Sequence, residues 1–116
     1  MTFKVVEGNV KAGVPISKAI IAGDYIYVSG EVAFDATGEI IKGGIEAETK
    51  QILDSISNTL KNANSSLEEV IKTTVWLKNV SDFVQFNKIY AQYFPEKKPA
   101  RSTVRADLMI DAKIEI

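Results

Sequence analysis

The chemistry open to this chain is bounded first by what its residues leave out. Its 116 residues include no histidine and no cysteine. That removes Ser-His-Asp catalysis, a paired-histidine ribonuclease site, thiol chemistry, disulfides and the usual zinc centres. Any reaction must be carried by carboxylates, Arg, Lys, Tyr, Ser or Thr hydroxyls, backbone groups or bound water. Among these, Arg101 opens the β-prone run Arg101 to Ala106 just after Pro99. Strand periodicity of two puts Arg101, Thr103 and Arg105 on one face. A guanidinium is a planar, permanently charged fork that donates two parallel hydrogen bonds to a carboxylate. Taken alone, Arg101 would serve as readily in a surface or interface ion pair, and that is the role expected of Arg105.

The elements that must position such a residue read as follows. Phe3 to Val6 is a short first strand. Ala19 to Ala22 and Tyr25 to Ser29 form a hairpin about Gly23-Asp24, a pair suited to the positive φ of a tight turn. Asp35-Ala36-Thr37-Gly38 is a second turn. From Ile45 the period becomes helical, with Ile45, Thr49, Ile52, Leu53, Ile56, Leu60 and Ala63 on one side. Asn62 and Asn64 can end that helix, and Ser66 with Glu69 has the form of a capping box. Val70 to Leu77 is apolar on both faces, the pattern of a strand covered on both sides. Ser81 is then expected to cap a second helix carrying Phe83, Phe86, Ile89, Tyr90, Tyr93 and Phe94, stopped by Pro95 and Pro99. Arg101 to Ala106 and Ala112 to Ile116 close the chain as strands.

This order, β-β-β-α-β-α-β-β, predicts one α+β domain over residues 1–116: a mixed sheet with two helices on one face. The other face then has no cover from its own chain, so a closed homo-oligomer is expected. The formal net charge is −1, with 46% apolar and 25% charged residues, the balance of an ordinary globular protein. The basic residues are scattered and matched by acids, which gives no polyanion-binding surface, and no nucleic-acid partner is expected. The first residues do not begin a signal peptide, and no stretch reaches the length of a bilayer span. A soluble, cytoplasmic protein without a membrane partner is the expectation.

Several ordered segments resemble the RidA/YjgF family: Tyr27-Val28-Ser29-Gly30, Glu46 to Gln51, Ser65 to Leu77, Asp82-Phe83, Phe86 to Tyr90, Tyr93-Phe94 and Pro99-Ala100-Arg101-Ser102-Thr103-Val104. They run from about residue 10 to the end with near-family spacing. The resemblance implies a chorismate-mutase-like fold, a homotrimer with clefts between subunits, and hydrolysis of 2-iminobutanoate- or 2-iminopropanoate-type imines and enamines to 2-oxo acids and ammonia. It implies no metal and no organic cofactor. Members are often labelled endoribonuclease L-PSP or translation inhibitor.

The same resemblance assigns roles. Arg101 holds the substrate carboxylate, and the Thr103 backbone carbonyl helps orient the water, at a position where cysteine is frequent. Glu115 matches the acidic residue near that water, where a carboxylate accepts a proton or positions the nucleophile; its plain reading is an exposed charge on a terminal strand. Ser29 and Gly30 match the strand lining the cleft, Gly30 permitting close backbone approach or simply marking a bend. Asn87 matches a cleft residue, or is solvated on its helix. Ile16 departs from the pattern, because the family carries Tyr after this proline. An aliphatic side chain donates no hydrogen bond, a loss of about 1–1.5 kcal/mol, and it would suit a larger aliphatic imino acid. Beside the deaminase reading stands a binding module that takes 2-oxo acids in the same cleft without turnover.

Overall fold

The computed structural model describes residues 2–116. The chain opens with an antiparallel meander of β1 (Lys4–Val6), β2 (Ala19–Ala22) and β3 (Tyr25–Val28), adjacent in that order. The β2–β3 register, Ala19 opposite Val28 and Ala22 opposite Tyr25, leaves a two-residue loop. Of the Gly-Asp pair only Gly23 is left-handed, at φ 59°, so one residue rather than two supplies the positive φ. The Asp35 turn forms as expected. The Asp35 carboxylate accepts from the Thr37 backbone N–H at 2.8 Å and the Thr37 hydroxyl at 2.6 Å, which holds it below its ordinary pKa.

Helix α1 (Gly44–Asn62) buries Ile45, Thr49, Ile52, Leu53, Ile56 and Leu60, the stripe its periodicity defines. It ends at Asn62, and Asn64 just beyond it is left-handed at φ 59°. There the Ser65 N–H reaches the Leu60 carbonyl at 2.8 Å and the Asn64 N–H the Lys61 carbonyl at 3.0 Å, the paired closure that satisfies the last carbonyls of a helix. The expected capping box is absent. Ser66 precedes a single 3₁₀ turn (Leu67–Glu69) without a side-chain cap, and it is Ser65 that donates to the Glu69 carboxylate, at 2.9 Å.

Strand β4 (Lys72–Leu77), helix α2 (Phe83–Tyr93) and strand β5 (Ala100–Arg105) form a parallel crossover, closed by the short β6 (Ile114–Glu115). The second helix starts later than Ser81 suggests: that residue lies in a 3₁₀ turn over Val80–Asp82. The spatial order is β5-β4-β6, with β4 parallel to β5 and antiparallel to β6. Both helices pack on the same side. Val75, Leu77 and Ile114 of the sheet share one core with Ile52, Leu53 and Leu60 of α1 and Phe86 and Tyr90 of α2.

The single mixed sheet expected from the sequence is therefore two three-stranded sheets. A reciprocal backbone pair links the segments that follow them, Glu31 N–H to Ile116 O at 2.8 Å and Ile116 N–H to Glu31 O at 3.0 Å. That pair lies outside both strands, because β3 ends at Val28 and β6 is short. Ala112 folds back into a turn, its N–H on the Ile110 carbonyl at 2.9 Å, so two of the five residues Ala112 to Ile116 pair as strand. Between β3 and β4 this leaves a groove of about 810 Å³ floored by Ile56 and Leu60. On the side away from the helices, Tyr25, Tyr27 and Val104 are exposed. Among the described residues, no helix is long and apolar enough to cross a membrane.

Candidate functional site

Arg101 is the second residue of β5, opposite Thr73 of β4. Pairing across strands preserves the face, so Arg101 projects on the side of Thr73, Val75 and Leu77, toward α2. There the Thr73 and Tyr90 hydroxyls share a hydrogen bond of 2.8 Å, which fixes the ring beneath the arginine. The guanidinium carbon lies 4.9 Å from the Tyr90 ring centre, 5.1 Å from Phe86 and 5.8 Å from Phe83. Stacking on aromatic faces is favourable for a guanidinium and leaves its in-plane N–H groups available. Among the described residues no Asp or Glu lies within ion-pair distance of Arg101. The ion-pair role open to it from sequence is thus not the one it plays within this chain.

The aromatic cradle was not visible as a site in the sequence. Phe83, Phe86 and Tyr90 read simply as the apolar stripe of a helix; that Thr73 and Arg101 sit opposite one another in parallel register was the missing piece. Asn87 lies four residues after Phe83 and three before Tyr90, hence on the same side of α2, and it is half-buried. Thr103, also half-buried, follows Arg101 on the same face of β5, opposite Val75.

Glu115 belongs elsewhere. It pairs with Trp76, three residues from Thr73, so it leaves the opposite face of the sheet from Arg101. Its carboxylate lies over Gly30: a Cβ built at Gly30 would fall on Glu115 Oε2 and 3.1 Å from Cδ. The need for glycine at position 30 is therefore the room it gives this carboxylate. Ser29 stands beside it, its hydroxyl donating to the Ser17 carbonyl at 2.6 Å and its N–H to the Lys18 carbonyl at 3.1 Å. Ile16 precedes Ser17 and is 49% exposed, so no core packing explains it.

The named residues thus divide into two groups. Arg101, Thr103 and Asn87 gather on the helix side of β5; Ile16, Ser29, Gly30 and Glu115 gather where β3 meets β6. One chain does not bring the groups together, and Arg101 is not in the wall of the β3–β4 groove, which Ser29 and Gly30 line at one end.

Two more charged groups accompany the second group. Glu31, buried, forms an ion pair with Lys18. Burial raises the Glu31 carboxyl above its ordinary pKa, while the Lys18 ammonium and the Ser55 hydroxyl pull it back. Burial also raises Glu115, and the negative charge of Glu31 pushes it the same way. Glu48, 3% exposed, is a separate case. It accepts the Lys113 N–H at 2.9 Å, tying α1 to the loop before β6, and burial raises its pKa.

Known proteins agree with this architecture. The family described as Endoribonuclease L-PSP matches residues 7–116. A RutC family protein of Pyrococcus horikoshii is 46% identical over 104 residues, 88% of this chain and 82% of that protein. Human 2-iminobutanoate/2-iminopropanoate deaminase is 38% identical over 104 residues, 88% of this chain and 76% of that one. The crystal structure of YyfA from Yersinia pestis, a protein of the conserved Rid family, superposes with a TM-score of 0.91 at 34% identity, covering 98% of this chain and 94% of that one. With the Arg101 motif on its strand, the Ser29-Gly30 pair beneath Glu115, and relatives matched over nearly the whole chain, the protein belongs to the RidA/YjgF family.

Proposed function

We propose that the protein hydrolyses small reactive 2-imino acids and their enamine tautomers to 2-oxo acids and ammonia. The observation that carries this reading is Arg101, a cation held on three rings with no acidic partner among the described residues. Such a group is prepared for an incoming carboxylate, and a 2-imino acid supplies one next to its electrophilic carbon. The human relative that carries the deaminase name supports the same choice.

Because Arg101 and Glu115 leave opposite faces of one sheet, a site using both takes them from two copies of the chain. The exposed Tyr25, Tyr27 and Val104, with half-buried Trp76, give those copies apolar surface to bury. A closed homotrimer is the assembly proposed. In the cleft, Arg101 anchors the carboxylate and the Thr103 carbonyl and Glu115 hold the water. Its oxygen bonds to the C=N carbon as Glu115 takes a proton. The nitrogen receives that proton from Glu115 and then the remaining hydroxyl proton, and leaves as ammonia while the carbon–oxygen double bond closes to the 2-oxo acid. Purified protein should therefore accelerate ammonia release from 2-iminopropanoate generated in situ; a rate no higher than that without protein would overturn the reading.

Gly30→Ala tests the Glu115 role. The added methyl must displace the carboxylate from its place over residue 30. A general base contributes about 10²–10⁴ in rate, so a fall in kcat of about 10²-fold is expected with little change in far-ultraviolet circular dichroism. An unchanged kcat would remove Glu115 from the reaction.

A second reading, capture of 2-oxo acids without turnover, is favoured by Ile16, which offers the site no hydroxyl. Saturable 2-oxobutanoate binding without measurable deamination would establish it.

A further inference from the structure

We propose that Lys18 and Glu31 are positioning residues for Glu115: their ion pair fixes a second carboxylate beside the one that handles the attacking water. The inference rests on the deaminase reading for its catalytic consequence, and its geometry stands on its own observations. Glu31 follows Gly30 directly, and it is over Gly30 that the Glu115 carboxylate lies. The Glu31 backbone exchanges two hydrogen bonds with Ile116, the residue after Glu115. Lys18 is brought alongside by the β2–β3 hairpin, where its carbonyl accepts the Ser29 N–H at 3.1 Å. Its aliphatic stem is covered by Gly8, where a Cβ would come within 2.8 Å of Lys18 Cγ.

The side chains of the pair are 15% and 8% exposed. A buried ion pair has both desolvation penalties to overcome and is seldom better for stability than an apolar pair of the same volume. Stability alone therefore gives no reason for a charged pair here, whereas its neighbour does. The groups that face Glu31 are Lys18, Glu115 and the neutral Ser55 of α1; the charge that acts on Glu115 is that of Glu31. Lys18 favours the ionised form of Glu31 against burial, and Glu31 makes Glu115 a stronger base. A carboxylate raised toward neutrality is better matched to taking a proton from water near pH 7.

The sign of the effect follows. Glu31→Gln removes the like charge, so Glu115 should titrate at lower pH. The acid limb of kcat/KM, set by ionisation of Glu115, should move to lower pH with it, and the plateau should fall as the base weakens. Since Glu31→Gln strands the Lys18 charge, the double variant Lys18→Gln/Glu31→Gln is made alongside; two amides can bond one another there without net charge. Glu115 is followed directly by ¹³C NMR of the side-chain carboxyl in the full-length protein, and the pH profile is recorded with 2-iminopropanoate generated in situ. A downward shift of the Glu115 titration in both variants is the expected result. An unmoved titration in both, or a uniform fall in rate with the acid limb in place, overturns the proposal and leaves the pair a structural one. Absence of deamination in the unsubstituted protein would defeat the deaminase reading, and the carboxyl titration would still decide the coupling.

Discussion

Replacing Arg101 with alanine should lower kcat/KM for a 2-imino acid by about 10²–10⁴-fold. Two charge-assisted hydrogen bonds to a carboxylate are worth about 1.5–3 kcal/mol each, and each 1.4 kcal/mol is tenfold in rate. The loss should fall on the chemistry and not on the fold. Arg101 is half-buried on an edge strand and takes part in no ion pair among the described residues, so far-ultraviolet circular dichroism should be unchanged. Arg101→Lys should restore only a part: it keeps the charge but not the planar fork, nor the stacking on Tyr90, Phe86 and Phe83. An alanine variant as active as the parent would mean that the cradled guanidinium is not the anchor.

The largest effect on stability should come from Phe86→Ala. Phe86 is fully buried, its ring 5.3 Å from that of Tyr90 and 5.1 Å from the Arg101 guanidinium carbon. It joins the helix layer to the strand that carries the anchor. Truncating a buried phenylalanine costs about 3–5 kcal/mol through lost burial and the cavity left behind, a fall of about 10–20 °C in Tm for a chain of this length. With one of three rings gone from beneath it, Arg101 should also hold carboxylates less well, so KM should rise. Thermal or urea unfolding checks the first part and steady-state kinetics the second. A loss below about 1 kcal/mol would mean that the α2–sheet interface collapses around the gap and is not the rigid support described here.

Much of the layout was legible in the sequence because it follows from local rules. The period of 3.6 from Ile45 to Leu60 gave α1 its buried face, and the Gly23 turn gave the first hairpin. The proline-bounded aromatic run gave α2. What failed were features decided by neighbours distant in sequence. Ser66 and Ser81 have the side chains of caps, but the cap geometry depends on how the preceding loop enters the helix, and 3₁₀ turns intervene at both. The closing strand reads as five residues from composition and pairs over two, because Ala112 turns back first. The expected single sheet divides where β3 ends at Val28, three residues before Glu31 meets Ile116.

The site was legible to the same degree and for the same reason. Residue types and motif order singled out Arg101, Ser29, Gly30 and Glu115, and the structure adds the local contacts of each: the aromatic rings under Arg101, the Ser17 carbonyl on Ser29, and the Glu115 carboxylate over Gly30. Their distribution over opposite faces was not readable, since it depends on which β4 residue each strand meets: Thr73 for Arg101, Trp76 for Glu115. The Lys18–Glu31 pair also escaped notice, being formed by residues thirteen positions apart that meet only through the hairpin.

That separation gives the most direct test of a site built across two copies. Arg101→Ala and Glu115→Gln, each inactive as a homo-oligomer, should be refolded together at equal amounts. In any ring where a site takes Arg101 from one copy and Glu115 from the next, about one quarter of the sites then carry both native residues. Recovery of about a quarter of the parent activity is the predicted result. A mixture as inactive as its two components would contradict it.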